Sequence, residues 1–184
     1  MEEHNSGTEA AMKIFNQFVF ADCLAEEDKT EIIEEAMSFG QRRAQEIRAE
    51  FGEITSEQIL KNQGILIVEE NKKNGWSDDY VKFAEYYTKT SEIRLNMEAL
   101  KKVGEHMDVQ IAREIVLSHE LYHYFEYKRW GDTAKLFIRD VKLFGWIPVK
   151  RKMLPAAEIA ANSFTRQFLG LDFAPQTIEE YYFK

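Results

Sequence analysis

Apolar side chains recur along the chain with two periods, and the period changes mark the elements. From Thr8 to Leu24 the residues Ala11, Ile14, Phe15, Phe18 and Val19 follow helical spacing and predict a helix with one apolar stripe. Ile32, Ile33, Ala36, Met37, Phe39, Ala44 and Ile47 predict a second helix from about Glu26 to Phe51, with Gly52 as its stop and Gly40 as a weak point midway. Thr55 or Ser56 can cap a short helix through Leu60. Asn62-Gln63-Gly64 then turns the chain into Ile65–Val68, a compact β-rich run.

Asn71 to Asp79 is polar and contains Asn74-Gly75, which predicts a hairpin or an exposed loop. Two short strands follow, at about Tyr80–Tyr87 and Glu92–Asn96; in the second, Ile93 and Leu95 alternate with Glu92, Arg94 and Asn96. Asp108 caps a helix from Val109 to about Trp130, Gly131-Asp132 ends it, and a further helical segment is expected over Thr133–Leu143. Residues 145–152 read either as a strand or as irregular chain, because Trp146, Ile147 and Val149 are interrupted by Pro148. Pro155 opens a helix through Leu169, closed by Gly170, and the aromatic tail (Phe173, Tyr181, Tyr182, Phe183) is expected to dock back onto the body. The order predicts an α+β fold, a small mixed sheet packed against helices. With no repeat and no Gly/Ser/Pro-rich linker, residues 1–184 read as a single domain in which a helical segment, 1–54, packs on a core, 55–184.

Composition narrows the function. The 184 residues are 45% hydrophobic with only three prolines, so disorder and low complexity are poor fits. The net charge of −8 repels phosphate backbones, which argues against direct nucleic-acid binding. One cysteine, Cys23, cannot form an intrachain disulfide and reads as a small buried hydrophobe; a reducing, cytoplasmic location is expected. No apolar run is long enough to span a membrane, and the start, Met1-Glu2-Glu3-His4, is acidic where a signal peptide would be basic.

The chemistry concentrates in His119-Glu120-Leu121-Tyr122-His123, which holds two of the four histidines. Residues i and i+4 of a helix lie one above the other, so both imidazoles can reach one metal ion, and Glu120 beside them is placed to act as a base without being a ligand. Zinc needs a third protein ligand. His106 and His4 are poor candidates, and Glu126 lies a further turn along the same helix. Glu158 is better, in the first turn of the helix opened by Pro155, where the helix N-terminus favours a carboxylate. Asn162, at i+4 from it, is expected to orient a ligand histidine from outside the coordination sphere.

His119-Glu120-x-x-His123 with a downstream Glu158 resembles the gluzincin metallopeptidases, and more closely the ImmA/IrrE family of intracellular metallopeptidases, over about residues 55–170. Glu158-Ile159-Ala160-Ala161-Asn162-Ser163-Phe164 is similar to the family's second signature, an acidic residue shortly before Ala-Asn-x-Phe. The resemblance implies a zincin-like fold, a Zn2+ cofactor held by His119, His123 and Glu158, and a protein substrate such as a DNA-binding repressor. Two positions depart from the family: Tyr122 stands where many members have Gly and is expected to narrow the approach, and Ala160 stands where many carry an acidic residue.

The expected reaction is peptide hydrolysis, with water activated at the metal, Glu120 as proton carrier and an oxyanion partner drawn from Tyr127, His106, Tyr86 or Tyr87. The strand ending Ile93–Asn96 is either an edge that pairs with an extended substrate or an interior strand. Lys150-Arg151-Lys152 reads as a solvated face or as a contact for an acidic partner, and Phe137, Val141, Phe144 and Trp146 read as core or as a groove. The competing functional class is a non-catalytic or latent zincin-like module that holds a protein partner.

Overall fold

The computed structural model describes residues 2–71, 81–143 and 146–184. The Asn74-Gly75 turn, the start of the strand expected at Tyr80, Phe144 and Gly145 lie outside them. Seven α-helices are described: α1 Glu2–Asn16, α2 Glu26–Phe51, α3 Ser56–Asn62, α4 Met97–Val103, α5 Val109–Phe125, α6 Pro155–Leu169 and α7 Thr177–Tyr182. The strands are β1 Leu66–Glu70, β2 Ala84–Tyr87, β3 Glu92–Asn96, β4 Ile138–Leu143 and β5 Ile147–Lys152. They form an α+β fold, with a mixed three-stranded sheet and a separate two-stranded one packed against the helices.

In the larger sheet β3 is central, parallel to β1 and antiparallel to β2. Its alternation holds: Ile93 and Leu95 are fully buried. The Ile93–Asn96 segment is therefore an interior strand, and among the described residues β2 is an edge that lies along α5. Helix starts follow local chemistry. Thr55 and Gln58 form a reciprocal capping box at α3, and the Asp108 carboxylate accepts from the backbone amides of Gln110 and Ile111 at 2.7 and 3.3 Å.

Three expectations need correction. The first helix ends at Asn16, and a 3-10 turn at Ala21–Cys23 follows, leaving Val19 80% exposed rather than in the stripe. The helix through His119 is α-helical only to Phe125; residues 126–130 form one wide π turn that ends at Gly131, φ +78°. Only Thr133–Lys135 of the segment expected to be helical coils, as a 3-10 turn, before β4 begins. Val141 is buried and paired with Val149 of β5, so the ladder won over a helical reading of an ambiguous apolar run.

Two apolar clusters share α2 and α6. The larger holds Ala44 and Ile47 of α2, Leu117, Leu121 and Phe125 of α5, and Phe164 and Phe168 of α6. The second collects Phe15, Ile32, Ile33, Ala36, Phe137, Val141, Met153 and Ile159. The two helices touch where Gly40 meets the Ala160 carbonyl, so close that a methyl on residue 40 would overlap that oxygen. Gly40 is thus a contact point rather than a flaw in α2. The Ser163 hydroxyl donates to the Met37 carbonyl at 2.8 Å, and the Arg48 guanidinium caps the end of α6 through the Phe168 carbonyl at 2.7 and 3.1 Å. Of the aromatic tail, Tyr182 meets Phe83 edge-on at 6.0 Å and Tyr181 rests on His106 at 5.5 Å, so the tail does fold back.

Replacing Gly40 by Ala forces α2 and α6 apart, and the expected loss is about 3 kcal/mol in urea unfolding, toward the upper end for overpacking. An unchanged midpoint would show that the contact is loose. The Arg113 guanidinium at 2.6 Å, with Lys61 at 2.7 Å, holds the Glu57 carboxyl at about 2, below its usual 4.5. Because its folded value is depressed, the stabilisation is present above pH 4.5 and fades as pH falls toward 2. Glu57→Gln should therefore cost about 1 kcal/mol at neutral pH, discounted for solvent screening, and nothing near pH 2.

Candidate metal centre

The centre is built on α5 and α6. Leu117, Leu121 and Phe125 bury one side of α5, which leaves His119, Glu120 and His123 half-buried on the other. Pro155 occupies the first position of α6, and Glu158 falls in its first turn. Ala160 and Ala161, on the faces turned to the core, are fully buried. A carboxylate at residue 160 would face α2, so Glu158 is the acidic group of this helix that reaches the histidines.

One atom each from His119, His123 and Glu158 lie within 4.8 Å of one another, as a cation site requires. The two Nε2 atoms are 3.1 Å apart, and the Glu158 carboxylate oxygens lie 3.3 Å from His119 Nε2 and 3.5 Å from His123 Nε2. The Glu126 carboxylate takes a hydrogen bond from His123 Nδ1 at 2.9 Å and, through its other oxygen, from the Thr133 amide at 2.8 Å. With Nδ1 holding the proton, the His123 Nε2 lone pair points to the shared centre.

The electrostatics fit a cation. Burial pushes the Glu158 carboxyl up, but the His119 hydrogen bond and both imidazoles reverse this and hold it at about 2. For His123, burial works downward and is outweighed by the Glu126 hydrogen bond and by Glu158 and Glu120, which raise it to about 9. Burial raises the Glu120 carboxyl; His119 and His123 pull it back, while Glu158 and Glu85 of β2 add to the rise. Glu179 of α7 also feels His119 and Glu158, and burial raises its carboxyl. Four carboxylates, Glu120, Glu126, Glu158 and Glu179, thus act on the two imidazoles, and Glu85 acts on Glu120. The donor set, two nitrogens and a carboxylate with lone pairs converging, suits a divalent metal ion.

The remaining predicted residues fall elsewhere. Asn162 donates to the main-chain carbonyl of Glu158 at 2.9 Å, so the orienting partner of His123 is Glu126. Tyr122 does not narrow the approach: it is fully buried against Phe164 and Trp130, and its hydroxyl pairs with that of Thr133 at 2.7 Å. Tyr127 is 62% exposed and rests edge-on against Tyr86 at 6.4 Å. His106 precedes α5, against Tyr181 of α7. Glu126 was visible in the sequence at i+3 from His123, a spacing that brings side chains together; Glu85 and Glu179 carried no local signal.

No protein-family model, no curated protein and no solved structure matches the chain.

The chain should take up about one zinc, measured by elemental analysis, and lose it in His119→Ala, His123→Ala and Glu158→Ala. Glu126→Gln should keep the ligands but weaken zinc binding by about 10- to 100-fold in a competition titration, the usual effect of removing an orienting carboxylate. Full affinity in that variant would mean that the hydrogen bond to His123 is incidental.

Proposed function

We propose that the chain is a zinc-dependent endopeptidase with an ImmA/IrrE-like, zincin-like active site, acting on an intracellular regulatory protein of the repressor type. One observation carries the reading: the two histidines of an HExxH helix and Glu158 of a separate helix converge on one point, with Glu120 beside them. Bound there, zinc would polarise the scissile carbonyl and lower the pKa of water. Glu120 removes the proton as the water oxygen bonds to the carbonyl carbon, then returns it to the nitrogen as the C–N bond breaks. The upward push of burial on Glu120 suits the first half of that cycle, since a carboxylate whose proton affinity is raised takes a proton from water more readily than it would at its ordinary value, and it then holds that proton for delivery to the leaving nitrogen. Edge strand β2, lying along α5, offers backbone groups to which an extended substrate can pair.

Glu120→Gln separates the peptidase from a module that only holds its partner. The variant should keep its zinc and lose cleavage by about 10²- to 10⁴-fold, the range for a general base. Cells expressing wild type and variant are compared by labelling new protein N-termini. New termini that need Glu120 support the reading, and identical terminus profiles with intact partner regulation would replace it with the binding module.

A further inference from the structure

Strands β4 and β5 form a hairpin whose chemistry is the reverse of the rest of the molecule. Between Thr133 and Leu154 there are six basic side chains against Asp140 alone, a local +5, so the remainder of a chain of net −8 carries −13. The same stretch contributes Leu136 (59% exposed), Ile138, Trp146, Ile147 and Leu154 (60%) to the exposed apolar surface.

The pairing register sorts these residues by face. Val141 and Val149 share the inner face, where Val141 is fully buried and packs with Phe137 and Met153 in the second cluster. On this side Arg139 reaches Glu35 at 3.6 Å, and Arg151 lies over the Phe20 ring. Ile138 with Lys152, Asp140 with Lys150, and Lys142 with Pro148 occupy the other face, all exposed. Lys152 is held by Asp132 at 3.1 Å, whereas Lys142 and Lys150 form no ion pair among the described residues. On this outer face the exposed Ile138 stands among Lys142, Lys150 and Lys152, whereas Ile147 pairs with Leu143 in the inner-face register; an exposed isoleucine beside cations fits a partner that is acidic and apolar together.

The base of the hairpin is tied to the metal centre from both sides. Thr133, just before it, bonds Glu126 and Tyr122, and Met153, just after it, donates to the Phe137 carbonyl at 2.8 Å immediately ahead of the helix that carries Glu158. We propose that the outer face of β4–β5 is a docking surface for an acidic, apolar-spaced segment of the same polypeptide that the metal centre cuts. This rests on the peptidase reading and adds a substrate class to it: a protein with a Glu/Asp-rich stretch outside the bond that is cleaved.

The probe is a fluorescent peptide of alternating glutamate and leucine, titrated by anisotropy against the full chain, with its lysine–leucine counterpart, anionic phospholipid vesicles and single-stranded RNA in parallel. The acidic peptide should bind, more weakly as salt rises, and Lys142→Glu/Lys150→Glu should weaken it by about tenfold or more. Lys101→Glu/Lys102→Glu on α4, an equal charge change elsewhere, should have little effect. Equal loss in both double variants, no binding of the acidic peptide, or binding of vesicles or RNA in its place would overturn the proposal. Repeating the titration on Glu120→Gln and after chelation keeps the two claims apart. Docking that persists there while wild type cuts nothing sinks the peptidase reading, whereas Glu120-dependent cleavage with an indifferent hairpin sinks this one.

Discussion

Helix α6 is held on two sides, and the candidate centre exists because of where that holds it. On one side its backbone meets α2 at Gly40, with the Ser163 hydroxyl and the Arg48 guanidinium closing polar bonds across the contact. On the other, Phe164 packs on Tyr122 of α5. A helix fixed against two neighbours has little freedom to slide or rotate, so its first turn, and with it Glu158, is delivered to His119 and His123 at fixed height. Close packing of this kind transmits displacement, and a shift of about 1 Å at Gly40 would be felt at the carboxylate.

The second determinant is the polar frame beneath the histidines. Tyr122, Thr133 and Glu126 connect the end of α5 to the turn that follows it, and Glu126 passes this order to His123. The π turn at 126–130 belongs to the same frame, since it carries the chain from α5 back to the amide that Glu126 receives. Such carboxylates near two imidazoles repel one another unless positive charge is present, by protonation of the histidines or by a bound cation. A metal ion bound where the lone pairs meet would supply that charge. Without one, the neighbouring carboxylates favour the protonated form of His123, which is the sense of its rise.

The hairpin shows how the same chain keeps two surfaces of opposite character. Phe137, Val141 and Met153 anchor its inner face in the second cluster, so the outer face stays presented without contributing to the core. Arg139 and Lys152 pair with Glu35 and Asp132, Lys142 and Lys150 stand on the outer face with no ion pair among the described residues, and the two ends of the hairpin enter the elements that support the centre.

Local patterns carried much of this into the sequence. Caps and stops named α2, α3, α5 and α6 to within a residue or two at most ends, because Thr55, Asp108, Pro155, Gly52 and Gly170 act on their own neighbours. The i, i+4 histidines and Glu120 were equally legible, since one helix contains all three. Short apolar segments were not: residues 138–143 satisfy a helix and a strand alike, and only the partner β5 selects the ladder. Trp146 read as core or as part of a groove and is 76% exposed, and which strand of the sheet forms an edge has no signature in β3 itself. Chain periodicity and capping set what each segment is and which of its faces is apolar, because those depend on residues a few positions apart. The meeting of Glu158 with the histidines, the assignment of Glu126 rather than Asn162 to orient His123, and the approach of Glu85 and Glu179 depend on packing between distant segments, which no local pattern encodes.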